Sequence, residues 1–282
     1  IGDDTSSWIA AEDLLAKHNA IHAVDNSRLT TQADPVGIAG LGTELTPRSN
    51  YTDYVKGSDT FQPEIYPIGH CEPGTEKPEM TARWVPTVIK NMKQIYHDWE
   101  TTGISPRPVW PLIQYFHYRA SYNHWNRMPT RDELRAMSYL AVIHGSHGIF
   151  WYRYAGYPET ANAKRGYSDE QWQNLSGISL EFRALYDMYC TLPVPQTQKA
   201  SVVSGPAKDA LGYDSVNTLL KRHDGKAYLI VCNSAMADVK ARFMVPGIKT
   251  AKEYFENRTL NVADGAFEDS FGSFGVHVYV ME

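Results

Sequence analysis

Arg107-Pro-Val-Trp-Pro-Leu-Ile-Gln114 and Gly148-Ile-Phe-Trp-Tyr-Arg-Tyr154 bracket the stretch whose reading decides the fold. Each is a short apolar run of strand length, and the first is entered through prolines. Between them Thr130 precedes Asp132 and Glu133, so a capping hydroxyl is followed by the acidic first turn that a helix dipole favours. Leu134, Met137, Leu140, Ala141 and His144 recur at helical spacing, and Gly145 and Gly148 end the run. Strand, helix, strand at this separation predicts a parallel βαβ unit. Rings and polar groups gather past both strand ends, from Gln114 through Tyr115, Phe116, His117, Arg119 and Trp125, and again at Trp151, Arg153 and Tyr154. In a (β/α) barrel that is the face where ligands bind.

The same pattern extends towards the N-terminus. Pro63-Glu-Ile-Tyr-Pro-Ile68-Gly69 reads as a buried strand with one anomaly, the carboxylate of Glu64. A helix is expected over Thr81–Thr101, with Trp84, Val88, Ile89, Met92, Ile95, Tyr96 and Trp99 as its buried stripe. Leu29 to Gln32 reads as a short strand, and Pro35 to Asn50 as loop. Gly2-Asp3-Asp4-Thr5 reads as the end of a strand. The helix after it is expected to be capped by Ser6 or Ser7 and to bury Ile9, Leu14, Leu15, Ile21 and Val24.

Towards the C-terminus, Asp169 opens a helix that ends near Cys190, and Leu192-Pro-Val-Pro195 marks a boundary. Beyond it the pattern changes to strand-length runs at 200–203, 218–222, 227–232, 239–245, 251–255 and 275–281. Asp224-Gly225 is a hairpin signal, and Val276-His-Val-Tyr-Val280 alternates as an edge or closing strand would. The expected fold is therefore α/β. Residues 1–195 form a (β/α)-barrel portion, about strands 4 to 8, and residues 196–282 an antiparallel β-sandwich. A complete barrel takes about 250 residues. Either a missing N-terminal segment or a second chain is expected to supply the first three strands, or the fold is a smaller open sheet, because half a barrel leaves two sheet edges.

Composition narrows the function classes. Of 282 residues, 43% are hydrophobic and 21% charged, with a net charge of −5, so neither a basic nucleic-acid face nor a membrane-spanning run is expected. Tyrosine (18) and tryptophan (7) are abundant, which suits a well-filled core or sugar-stacking platforms. Cys71, Cys190 and Cys232 have no metal-ligand spacing and read as buried free thiols. His144 and His147 flank a helix stop and read as a cap before a metal pair. There is no phosphate loop, nucleophile elbow or zinc motif. No signal peptide is visible, and the first residue is Ile1, so the start need not be the native one.

Thr130-x-x-Glu133-Leu-Arg-Ala-Met-Ser-Tyr-Leu-Ala-Val-Ile-His-Gly-Ser-His-Gly-Ile-Phe-Trp-Tyr152 resembles the last βαβ unit of (β/α)8-barrel glycoside hydrolases, in the broad β-galactosidase-like group. The resemblance implies cleavage of a glycosidic bond between two carboxyl groups at strand ends, with no cofactor and no metal. Where relatives carry Gly-Asp-Glu-Pro, this chain has Gly2-Asp3-Asp4-Thr5. Asp4 would then be the proton donor and Asp3 its polar neighbour, although Asp is one methylene shorter than Glu. An acidic helix cap explains the same residues. Relatives also show an Asp before x-Tyr-Pro-Ile, matched here by Glu64-Ile-Tyr66-Pro67-Ile68. Glu64 would be nucleophile or base, tuned by Asp59 and His70; the alternative is a salt bridge to Arg83 or Arg107.

Gln114 stands where many retaining enzymes of this look carry their nucleophilic Glu. It reads, with Tyr66, His117, Arg119, Trp151, Arg153 and Tyr154, as a sugar contact. A non-catalytic carbohydrate-binding protein, or a subunit that completes another chain's barrel, is the alternative function. A secreted or periplasmic location is expected for the glycosidase.

Overall fold

The computed structural model describes residues 2–3, 5, 8–36, 51–69, 78–117, 125, 127–153 and 167–282. These divide into two compact units, one of residues 1–129 and 144–166, the other of residues 130–143 and 167–282. The expected boundary at residue 195 falls inside the second unit.

Among its described residues the first unit has five strands, β1 (Gly2–Asp3), β2 (Thr31–Pro35), β3 (Thr60–Ile65), β4 (Leu112–Gln114) and β5 (Phe150–Tyr152). All neighbours pair in parallel, and the spatial order β1-β2-β3-β4-β5 is the chain order. That order carries information. A doubly wound sheet reverses its order at a switch point, whereas successive right-handed crossovers in one direction build a barrel wall. Among the described residues the sheet is open: β1 pairs only with β2, and β5 only with β4.

Among the described residues this unit has three α-helices: α1 (Ala11–Val24), α2 (Tyr51–Tyr54) and α3 (Thr87–Thr102). The Phe61 ring of β3 stacks on Tyr51 of α2 at 5.1 Å and meets Trp99 of α3 at 6.3 Å, so the sheet face that bears Phe61 carries α2 and α3. Val88, Ile89, Met92, Ile95 and Trp99 of α3 are buried as expected. The helix starts at Thr87, after a 3-10 turn over Pro78–Trp84, and Trp84 lies outside the stripe.

Helix α1 differs from its expectation. Its N-cap is Ala10, without a side-chain cap, rather than Ser6 or Ser7. Of the five apolar residues expected inside, only Leu14 is buried, while Ile21 is 42% and Val24 90% exposed. Leu14 is pressed onto Gly57, where an added Cβ would come within 2.7 Å of its Cγ.

The second unit begins with α4 (Arg131–Ile143), α5 (Asp169–Ala184) and α6 (Tyr186–Tyr189). Thr130 caps α4 as expected, and Glu133 answers it: Glu133 N donates to Thr130 Oγ1 at 3.2 Å, and Thr130 N to Glu133 Oε2 at 2.8 Å. Ser168 and Gln171 make the same box on α5.

Eight antiparallel strands follow: β6 (Lys199–Ser204), β7 (Val216–His223), β8 (Lys226–Asn233), β9 (Val239–Met244), β10 (Ala251–Glu253), β11 (Thr259–Leu260), β12 (Ala266–Phe271) and β13 (Val276–Met281). They form a five-stranded sheet, β11-β10-β13-β8-β7, and a three-stranded sheet, β12-β9-β6. Leu220, Leu229 and Tyr279 from the first and Ala241, Phe243 and Phe267 from the second share one apolar core. Asp224 (φ 48°) and Gly225 (φ 75°) join β7 to β8, the left-handed pair that a two-residue hairpin demands. Strand β13 is neither an edge nor a closing strand. It pairs with β10 on one side and β8 on the other, because Val276, Val278, Tyr279 and Met281 are all buried.

Cys232 is buried, but Cys190 is exposed, contrary to expectation, and both are free thiols; Cys71 lies outside the described residues. Among the described residues no helix is long and apolar enough to cross a membrane.

Candidate active site

Side chains alternate along a strand, and partners in a parallel pair share a face. The registers Ala33↔Gln62, Pro35↔Glu64↔Leu112↔Phe150 and Gln114↔Tyr152 therefore put Glu64, Gln114 and Tyr152 on the face opposite Phe61. Glu64 is next to last in β3, at its C-terminal end, and only partly buried. Trp151 pairs with Ile113 and so lies on the other face from Tyr152.

Past these strand ends four rings pack together. Tyr66 stacks on Tyr152 at 5.6 Å and meets Phe116 edge-on at 5.1 Å and Trp125 at 6.2 Å. The indole Nε1 of Trp125 donates to Tyr66 O at 2.7 Å, and the Arg153 guanidinium lies 5.8 Å from the Tyr152 ring centroid. With Ala33 and Leu112 these rings form a small apolar cluster. Tyr152, its central stacking partner, was missed by sequence reasoning. Its position two residues after Phe150, on the inward alternation, was the available signal.

Gln114 is fully buried, and its amide serves the backbone. Its Oε1 accepts from Ile68 N at 2.7 Å, and its Nε2 donates to Ile68 O at 2.8 Å and Phe116 O at 3.2 Å. Of the other expected contacts, His117 is half-buried just beyond Phe116. Asp3 is paired with Ala33 in β1. Asp4, Arg119, Tyr154 and His70 lie outside the described residues.

Asp34, which falls between the strand read at Leu29 to Gln32 and the loop read from Pro35, is a fully buried carboxylate near the end of β2. It accepts hydrogen bonds from Thr5 Oγ1 and, at 3.2 Å, from Gln32 Nε2.

Asp59 does not tune Glu64. It precedes β3, five residues and so about 16 Å of extended chain away. There it joins two histidines from α1, one turn apart. Asp59 Oδ2 is 2.8 Å from His22 Nε2 and accepts from Thr30 N at 2.7 Å and Thr30 Oγ1 at 2.9 Å. His18 Nδ1 is 2.8 Å from Thr30 Oγ1, and the two histidine rings are 4.5 Å apart. Burial raises the Asp59 carboxyl, but the Thr30 amide, His22 and the Thr30 hydroxyl outweigh it and hold it below its ordinary value. Burial lowers His18; Asp59 opposes this, and His22 and Arg107 reinforce it.

No family model matches the sequence, and no curated protein matches it. Solved structures do match in fold. The α-amylase from Geobacillus thermoleovorans, complexed with acarbose, superposes with a TM-score of 0.52 at 12% identity, over 100% of this chain and 60% of that one. α-Galactosidase I from Mortierella vinacea gives 0.50 at 8% identity, over 96% and 62%. A family 51 α-L-arabinofuranosidase from Bifidobacterium longum gives 0.52 at 8% identity, over 100% and 66%. This chain thus spans about three fifths to two thirds of the length of these proteins. At such identities the likeness is one of fold alone: a parallel α/β sheet together with antiparallel sheets.

Proposed function

We propose that the protein is a glycoside hydrolase in which Glu64, at the end of β3, and Asp4, just past β1, flank the scissile bond. Asp4 acts as the proton donor, and Glu64 as nucleophile or base. The observation that carries the reading is Glu64 itself. It is a strand carboxylate at the C-terminal end of a chain-ordered parallel sheet, on the face that carries the Tyr66–Tyr152 ring pair. Such a mouth offers what a sugar needs, a charged group for chemistry and ring faces for the apolar side of a pyranose. Strands β1 and β3 are separated by one strand, so their backbones are about 10 Å apart, a span across which two carboxyl side chains can reach one bond. Tyr66, Arg153 and Tyr154 serve as sugar contacts.

The three named neighbours act on different sugars, so the substrate is sought with a panel of chromogenic glycosides. Glu64→Gln and Asp4→Asn should each lower kcat by roughly 10²- to 10⁴-fold with little change in folding. Unchanged turnover in Glu64→Gln sinks the proposed pair. Loss in Asp3→Asn but not in Asp4→Asn moves the donor by one residue.

A further inference from the structure

At the opposite end of the same sheet, His18 and His22 of α1 and Asp59 before β3 each offer one ligand atom, and these atoms lie within 4.8 Å of one another. We propose that the three residues bind a divalent transition-metal ion, with zinc the best chemical match, as a clasp between helix α1 and the starts of β2 and β3.

The donor set fits that ion. Two imidazoles and one carboxylate, with solvent in the fourth position, is a recurrent zinc environment, and two histidines at i and i+4 present their rings on one helix face. The His22 and Asp59 side chains are 26% and 24% exposed, which leaves access for the metal and a water. Tetrahedral zinc with bonds of 2.0–2.1 Å needs ligand atoms about 3.3 Å apart. The widest separation therefore has to close by at most about 1.5 Å, and the His22 Nε2–Asp59 Oδ2 pair, now at 2.8 Å, has to open by about 0.5 Å, both within reach of small side-chain rotations.

The surrounding hydrogen bonds also suit ligation. Thr30 holds Asp59 through both its amide and its hydroxyl, and the same hydroxyl meets His18 Nδ1. The threonine hydroxyl has one hydrogen and gives it to Asp59, so His18 Nδ1 is the donor in that contact. Outer partners of this kind fix ligand orientation and sharpen affinity. One charge works against the site: the Arg107 guanidinium donates to Ser58 O, beside Asp59. With a single carboxylate the site is thus a modest binder, selective through its imidazoles and closed to hard cations such as magnesium.

The test is titration of the 282-residue chain, stripped with chelator, with cobalt(II) and zinc(II), read by cobalt d–d absorption and by calorimetry. One equivalent should bind, with four-coordinate cobalt bands displaced by zinc, and zinc should raise Tm. His18→Ala, His22→Ala and Asp59→Asn should each weaken binding more than about tenfold, and Thr30→Val about tenfold, while His97→Ala on exposed α3 surface leaves it unchanged. No binding by the unmodified protein overturns the proposal. So does binding that survives in all three ligand variants.

Discussion

Gln114 brackets Ile68 from both sides of one residue's backbone: Ile68 N donates to Oε1 at 2.7 Å, and Nε2 donates to Ile68 O at 2.8 Å. The amide thereby does for the chain leaving β3 what a neighbouring strand would do. Gln114→Glu turns the donor into an acceptor that faces two carbonyl oxygens, those of Ile68 and Phe116. A protonated Glu can still donate to Ile68 O, so the variant should approach native stability in acid. Its buried carboxyl has a raised pKa, so stability falls as pH rises above the unfolded value of about 4.3. The expected deficit at pH 7 is about 2–4 kcal/mol, read from denaturant midpoints. A variant as stable as the parent at pH 7 would show that the bracket does not matter.

In the C-terminal unit, Glu181 gathers three donors. Arg135 Nε reaches Oε2 at 2.8 Å, the Tyr139 hydroxyl donates to Oε2 at 3.0 Å, and Arg131 Nη2 reaches Oε1 at 3.3 Å. Arg135 also donates to Val276 O at 2.7 Å, tying α4 to β13. Glu181→Ala leaves the part-buried Arg135 guanidinium, its side chain 14% exposed, without its counter-charge and should cost about 3 kcal/mol. Lys208→Ala breaks an ion pair of similar length, 2.8 Å to Asp214, whose side chains are 60% and 78% exposed. It should cost under about 1 kcal/mol. Equal effects from the two substitutions, measured side by side by urea unfolding, would contradict this ranking.

Gly225 sits at φ 75° in the β7–β8 hairpin, and an added Cβ there would touch nothing within 4 Å. Gly225→Ala therefore isolates the backbone term. It should destabilise by about 1–2 kcal/mol, and Gly225→Asn by less, because Asn tolerates the left-handed region. Thermal unfolding of the pair separates conformational strain from a packing clash, which would make the larger Asn the worse choice.

That hairpin was legible because its signal is local: two residues must take positive φ, and few pairs do so cheaply. The parallel strands were legible for a related reason, since apolar runs bounded by Pro and Gly have few other uses. Helix α1 was misread because its contact face is partly polar. His18 and His22 turn towards Thr30 and Asp59, while Ile21 and Val24 face out. A hydrophobic pattern cannot register a helix anchored by hydrogen bonds. Asp59 was assigned to the wrong end of β3 because nearness in sequence was taken for nearness in space, and a strand separates its own ends. Gln114 was recognised as a singular polar residue in an apolar strand, but sequence cannot tell an amide that meets a ligand from one that holds its own backbone. Strands β11 and β12 escaped notice because Thr259–Leu260 is only two residues long and Ala266–Phe271 carries Glu268, Asp269 and Ser270.

One of those residues, Asp269, makes the acid limb of stability testable. The Arg258 fork reaches both of its oxygens, Nη1 to Oδ1 at 2.9 Å and Nη2 to Oδ2 at 2.8 Å. Tyr279 donates its hydroxyl to Oδ2 at 2.7 Å, and His277 Nδ1 lies 3.0 Å from the same atom. Burial pushes this carboxyl up, but His277, Arg258 and Tyr279 outweigh it and hold it well below the usual carboxylate range. A group whose folded pKa is depressed stabilises fully above its unfolded value, about 3.9, and loses that contribution as pH falls through the folded value. Between pH 7 and pH 3 the parent should therefore begin to lose stability that Asp269→Asn never had. The variant should be weaker at pH 7, on the order of 1–3 kcal/mol, and the gap should narrow in acid. Guanidinium midpoints at the two pH values decide it, and a gap that stays constant would mean that the ionised carboxylate contributes nothing beyond its shape.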